Sequence, residues 1–134
     1  MLVGGHAVTW HGYSRYTGDI DFFYKADLEN ARRLYAALVD FWGGDVPHVR
    51  SAEDLAVSGV FVHFGVVPNR VDLLSRMGSV VFDEAWTRRV VAPLEGEGWE
   101  VPLPIVGLED LLQAKRDAGR PKDVADLAVL TRPI

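Results

Sequence analysis

The chain has 134 residues, with 14 Lys and Arg against 19 Asp and Glu for a net charge of −5; that is one domain with a core of its own, and the acidic balance excludes a sequence-blind nucleic-acid coat. Hydrophobic residues at 49% and charged residues at 25% give a globular rather than a disordered composition. The absence of cysteine excludes disulfides, zinc-thiolate centres, iron–sulfur clusters and thiol nucleophiles.

Glycine, proline and polar punctuation divide the chain into short, non-repeating pieces that alternate between period 2 and period 3.6, the pattern of a mixed α+β domain over residues 1–134. Leu2-Val3 is a strand stub ending at Gly4-Gly5, and His6 to Tyr13 predicts a short helix. Gly18 to Tyr24 predicts a strand with Ile20, Phe22 and Tyr24 on its core face and Asp19, Asp21 and Phe23 on the other. Asp27 is placed to cap a long helix on which Leu28, Ala31, Leu34, Tyr35, Leu38 and Trp42 recur at helical spacing, and Gly43-Gly44 stops it. Val60 to Val67 and Arg70 to Leu74 predict a hairpin around Pro68-Asn69, with Val71 and Leu73 facing opposite to Asp72. Asp83 is placed to cap a short helix through Trp86, and Val90-Val91 pairs with Trp99 to Val101 across Glu95 to Gly98. Leu108 to Ala118 is helical, Gly119 closes it, and Pro121 opens a last helix to Leu130. No apolar run approaches the roughly 20 residues of a membrane span, and Met1 leads into Leu2-Val3-Gly4-Gly5 with no basic n-region or signal-peptide core, so no membrane association and a cytoplasmic location are expected.

The chemistry is concentrated in carboxylates. In an extended segment Asp19 and Asp21 share a face, about 6.6 Å apart along the strand. Acids that close repel unless a cation lies between them, and a hard divalent ion is the ordinary solution. Asp72 from a second strand completes a set for one or two Mg²⁺ ions roughly 3.5–4 Å apart, as in two-metal phosphoryl transfer. A lone Asp-x-Asp also serves on solvent-facing strand edges; here apolar neighbours put the strand in the core. Gly4-Gly5, between strand and helix, lets backbone N–H groups approach a phosphate, although such a pair also serves as a plain turn. There is no Gly-Lys-Ser/Thr loop and no G-x-G-x-x-G.

Lys115 follows Leu111 and Leu112 on the apolar stripe of its helix, so it points inward, either to snorkel or to meet an anionic ligand. Asp126 on the next helix is placed to pair with Lys115 or to orient something bound. The histidines show no metal-ligand spacing, His6 and His11 lie near the glycine turn, and no serine lies in a nucleophile elbow. Trp10, Trp42, Trp86 and Trp99 are expected in core or cleft packing.

Leu2-Val3-Gly4-Gly5, a spacer and Asp19-Ile20-Asp21, with Asp72 in Arg70 to Leu74, together resemble the signature of the nucleotidyltransferase superfamily, the DNA polymerase β-like fold. Arg15 to Asp21, Leu111 to Lys115 and Arg120 to Leu127 are similar to its bacterial branch of abortive-infection toxins and minimal nucleotidyltransferases. The resemblance spans nearly the whole chain, without the helix that precedes the first strand in the family and with Gly5 where relatives carry a phosphate-contacting serine. It implies Asp19, Asp21 and Asp72 as Mg²⁺ ligands and catalytic residues, and Lys115 and Asp126 as residues that complete the site. Gly4, Gly5, Arg15, Thr17 and Lys115 would hold a nucleoside triphosphate. The implied activity is transfer of a nucleoside monophosphate to an acceptor hydroxyl: an antibiotic-like small molecule, a protein, or a tRNA end reached by a basic strip of Arg15, Arg32, Arg33, Arg50, Arg70 and Arg76. The alternative is a weakly active or non-catalytic member acting as a toxin–antitoxin-type binding partner, in a homodimer or with another protein.

Overall fold

The computed structural model describes residues 1–133. The chain forms a six-stranded mixed sheet with five α-helices, an α+β fold as expected. In chain order these are β1 (Leu2–Val3), α1 (Gly4–Trp10), β2 (Asp19–Phe23), α2 (Leu28–Trp42), β3 (Phe61–Phe64), β4 (Arg70–Leu74), α3 (Phe82–Thr87), β5 (Val90–Gly96), β6 (Trp99–Ile105), α4 (Leu108–Ala118) and α5 (Pro121–Leu130). A short 3₁₀ turn, Ala52–Leu55, which the periodicity did not announce, packs beneath α2.

The strand order is β3-β4-β2-β1-β6-β5. The centre is β2, parallel to β4 and antiparallel to β1, so Asp21 stands opposite Asp72 on one side and Val3 on the other. Two apolar clusters hold the sheet. One gathers Tyr24, Ala31, Leu55, Phe64 and Leu73 under α2. The other joins Leu2, Val3, Ala7, Val8, Phe23, Ile105, Val106 and Leu111, fastening α1 and α4 to the central strands. No described helix is long and apolar enough to cross a membrane.

Several local expectations are met. The Asp27 side chain accepts the Asn30 N–H at 2.7 Å and starts α2, and Gly43 ends it in the left-handed region at φ 71°. Gly119 ends α4 at φ 62°, and Pro121 opens α5.

Others need correction. Helix α1 starts at Gly4 itself and stops at Trp10 rather than running from His6 to Tyr13, because Gly4 can take a φ of 67° directly after the strand. Phe23, assigned to the non-core face of β2, is 1% exposed: Phe82 packs edge-on against it at 5.2 Å, so that face is covered beyond the carboxylates. Helix α3 has Val81, not Asp83, at its N-cap, while Asp83 pairs with Lys25 at 2.9 Å. Strands β5 and β6 pair over their full length, with Val90 opposite Ile105, rather than through Val90-Val91 and Trp99 to Val101. All four tryptophans are substantially exposed and none lines the site cleft; Trp86 instead stacks on Phe82 and carries the Arg89 guanidinium over its face at 4.0 Å.

Candidate active site

Strand alternation places the first three acids. Asp19 and Asp21 are two apart on β2, and Arg70 and Asp72 are two apart on β4. The parallel register sets Asp19 beside Arg70 and Asp21 beside Asp72, so four charged side chains form a quadrilateral on one face. Oxygens of the three carboxylates all lie within 4.8 Å of one another. Asp72 is 2% exposed, and burying an acid so completely requires a compensating cation.

Arg70 is that cation. Its guanidinium grips Asp72 through two bonds of 2.8 Å, Nε to one oxygen and Nη2 to the other, and Nη2 reaches Asp19 at 3.3 Å. Asp21 has no ion-pair partner among the described residues. Burial first, then the negative charge of Asp19 and the closeness of the Asp72 carboxylate, push its carboxyl up to about 7, and Lys122 offsets only part of this.

That shift carries a sign. A carboxyl whose pKa is higher folded than unfolded keeps its proton longer in the native state, so the metal-free protein loses stability as pH rises from about 4 to about 7. Asp21→Asn removes the titration. Its melting temperature is therefore expected to exceed that of the wild type at pH 8 and to match it near pH 4, as read by thermal unfolding in chelator; equal values at pH 8 would contradict the assigned environment.

The glycine turn is shaped by these side chains. A Cβ on Gly4 would meet the Asp21 carboxylate, 2.9 Å from Cγ, and a Cβ on Gly5 would lie 2.6 Å from the Thr17 hydroxyl. Thr17 occupies the space above Gly5, and its hydroxyl donates to the Asp19 carbonyl at 3.1 Å. The two glycines therefore allow the backbone at the start of α1 to lie directly under an acid and a hydroxyl.

Above the carboxylates runs a ladder of alternating charge. Lys115, 5% exposed on α4, points inward as its stripe position requires, and its Nζ meets Asp123 and Asp126 at 3.0 Å each. Arg15 takes both oxygens of Asp126 at 2.6 and 2.8 Å, and the Arg120 Nε donates to Asp123 at 2.7 Å. Burial alone would raise both carboxyls. Hydrogen bonds from Arg15 and Lys115 hold Asp126 below the usual range, and those from Arg120 and Lys115 do the same for Asp123.

One cleft of about 370 Å³ gathers Gly4, Gly5, Arg15, Thr17, Asp19, Asp21, Asp72 and Lys115. Asp126 does not line it and acts through Arg15 and Lys115, so of the two roles open to it the structure displays pairing. Neither His6 nor His11 reaches the cleft; the His11 ring sits 2.7 Å from the Val106 carbonyl and joins α1 to the end of β6. Of the arginines expected to form a strip, Arg15, Arg70 and Arg76 line the cleft, whereas Arg32 and Arg33 ride on α2 and Arg50 lies apart from it.

Sequence reasoning passed over Asp123, Arg120 and Lys122, which also line the cleft, and gave Arg70 no role beside the acids. The signal for Arg70 was its i, i+2 spacing to Asp72, which puts both on one strand face. For Asp123 it was the third helical position after Arg120, where an acid closes a capping box; this one also turns inward to Lys115.

No protein-family model and no curated protein sequence matches this chain.

Proposed function

We propose that the chain is a Mg²⁺-dependent nucleotidyltransferase that moves a nucleoside monophosphate from a nucleoside triphosphate to an acceptor hydroxyl. The observation that carries this reading is the convergence of Asp19, Asp21 and Asp72, with oxygens within 4.8 Å, in a cleft whose other walls carry Arg15, Lys115, Arg120 and Lys122. Carboxylates for a metal and cations for phosphates are both required of a metal–triphosphate site, and either group alone would serve many purposes. The resemblance of the motifs to the nucleotidyltransferase superfamily supports the same conclusion.

The donor set suits Mg²⁺. It offers only carboxylate oxygens, all within 4.8 Å of one another, and Asp21 has no ion-pair partner of its own among the described residues. Asp19, Asp21 and Asp72 would hold the ion. When bound it supplies charge neutralisation at the α-phosphate and orients the phosphates for in-line displacement.

The chain's own groups do the rest. Backbone N–H groups at Gly4 and Gly5, the Thr17 hydroxyl and the cations of Arg15 and Lys115 hold the triphosphate. Lys115 and Arg15 are fixed by Asp123 and Asp126, so their positions are set before the ligand arrives. The acceptor oxygen forms a bond to the α-phosphorus, the bond from that phosphorus to the bridging oxygen breaks, and pyrophosphate departs. The resemblance to the family puts Asp72 nearest the acceptor, where its carboxylate would take up the hydroxyl proton.

Calorimetric titration of Mg²⁺-ATP and the other triphosphates into wild type and Asp21→Asn tests the assignment. The wild type is expected to bind at least one of them with Mg²⁺ present, and Asp21→Asn about tenfold more weakly or not at all. Equal binding by both proteins would sink the assigned site.

A further inference from the structure

Arg70 offsets the buried charge of Asp72, but the transfer reaction described above gives it no part. It lies on β4 beside the acids and lines the cleft with them, and all its side-chain hydrogen bonds among the described residues are to carboxylates of the proposed metal set. Both oxygens of Asp72 are engaged by the fork, at 2.8 Å each. An oxygen that accepts a short, charge-assisted bond has less electron density to offer an ion, and a guanidinium and a divalent cation against the same carboxylate repel each other. The Arg70 side chain is 33% exposed whereas that of Asp72 is 3% exposed. The arginine can therefore withdraw into water at small cost, while the acid cannot.

We propose that Arg70 is a resident counter-cation that keeps the carboxylate site compact in the metal-free protein and must yield its hold on Asp72 when a divalent ion enters, so that it sets the site's metal affinity. The inference rests on the reading of Asp19, Asp21 and Asp72 as a metal site. It adds that this site is weakened on purpose by a neighbouring positive charge. Three carboxylates and one guanidinium sum to −2, which a single divalent ion neutralises; without Arg70 the same ion meets −3. Arg70 is thus a positioning residue acting through Asp72, and removing it should strengthen metal binding, an effect that loss of a merely structural residue does not produce.

The test uses the full chain. Mn²⁺ binding is followed by the electron paramagnetic resonance of the free ion at pH 8, for wild type, Arg70→Ala, Arg70→Lys and Asp21→Asn. Arg70→Ala is expected to bind Mn²⁺ about tenfold more tightly than wild type. Arg70→Lys, which keeps the charge and loses the fork, is expected to lie between them, and Asp21→Asn to bind more weakly than all three. Should Arg70→Ala fail to fold, the Arg70 Nε–H resonance of the wild type, assigned by its loss in Arg70→Lys, is expected to shift with the same midpoint as Mg²⁺ binding. Equal or weaker Mn²⁺ binding by Arg70→Ala, or an Nε–H signal indifferent to Mg²⁺, overturns the role of Arg70 and leaves the metal site standing. No saturable binding by wild type or any variant overturns both.

Discussion

Asp126→Ala is expected to lower folding stability by about 3–5 kcal/mol, the usual cost of removing one partner from a buried ion pair. Asp126 is 1% exposed and serves two cations at once: Lys115 at 3.0 Å, and Arg15 through both its carboxylate oxygens. Its loss leaves Lys115, itself almost wholly buried, with half its countercharge, and leaves the Arg15 guanidinium with no carboxylate and only its bond to the Tyr16 carbonyl. Urea unfolding of wild type and variant reads the difference, and a change below about 1 kcal/mol would show the ladder to be an exposed, screened pair in solution. Together with Asp123, the same carboxyl contributes to the acid limit. Its folded pKa lies below its unfolded one, so its contribution is fully present above about pH 4 and disappears as pH falls through the lower, folded value. Asp126→Asn should therefore be less stable than wild type at neutral pH, with the gap closing in acid.

The second large effect is catalytic. Asp72→Asn is expected to reduce transfer of labelled nucleotide to an acceptor about 10³-fold, because the change keeps size and packing while removing the charge that would hold the ion and take the acceptor's proton. The measurement is label transfer from each triphosphate into separate pools of tRNA, lysate protein and antibiotic-like hydroxyl compounds. It also identifies the acceptor class. Transfer within tenfold of wild type would remove Asp72 from the mechanism. Label in no pool, with the triphosphate bound normally, would favour the alternative of a binding partner of toxin–antitoxin type.

Much of this arrangement was legible in the sequence where a local rule acts alone. The alternation in Asp19-Ile20-Asp21 and Val71-Asp72-Leu73, the cap at Asp27 and the Gly119-Pro121 junction each follow from chain stereochemistry within a few residues. What escaped depended on partners far along the chain. Arg70 reads as part of a basic strip for a tRNA end, and only the parallel register of β2 and β4 sets it beside Asp19. Asp123 reads as an ordinary first-turn acid, and only the crossing of α4 and α5 gives it Lys115. Phe23 follows the acids on their own face, and its burial depends on Phe82, far along the chain. The extent of β5 and β6 was hidden by prolines that read as breakers; Pro93 faces Pro102, so that rung calls for no N–H donors.

Helix α5 inverts the common rule for a helix laid on a domain: its only fully buried side chains are Asp123 and Asp126. It plugs in by two acidic pins, and its partners Arg15, Lys115 and Arg120 come from the loop before β2, from α4 and from the junction between the helices. Helix α2 is held by excluded water, a joint indifferent to protons. The seat of α5 is instead a proton-controlled latch, and because its sockets also face the cleft, whatever loosens the last helix disarranges the cationic wall of the cleft in the same event.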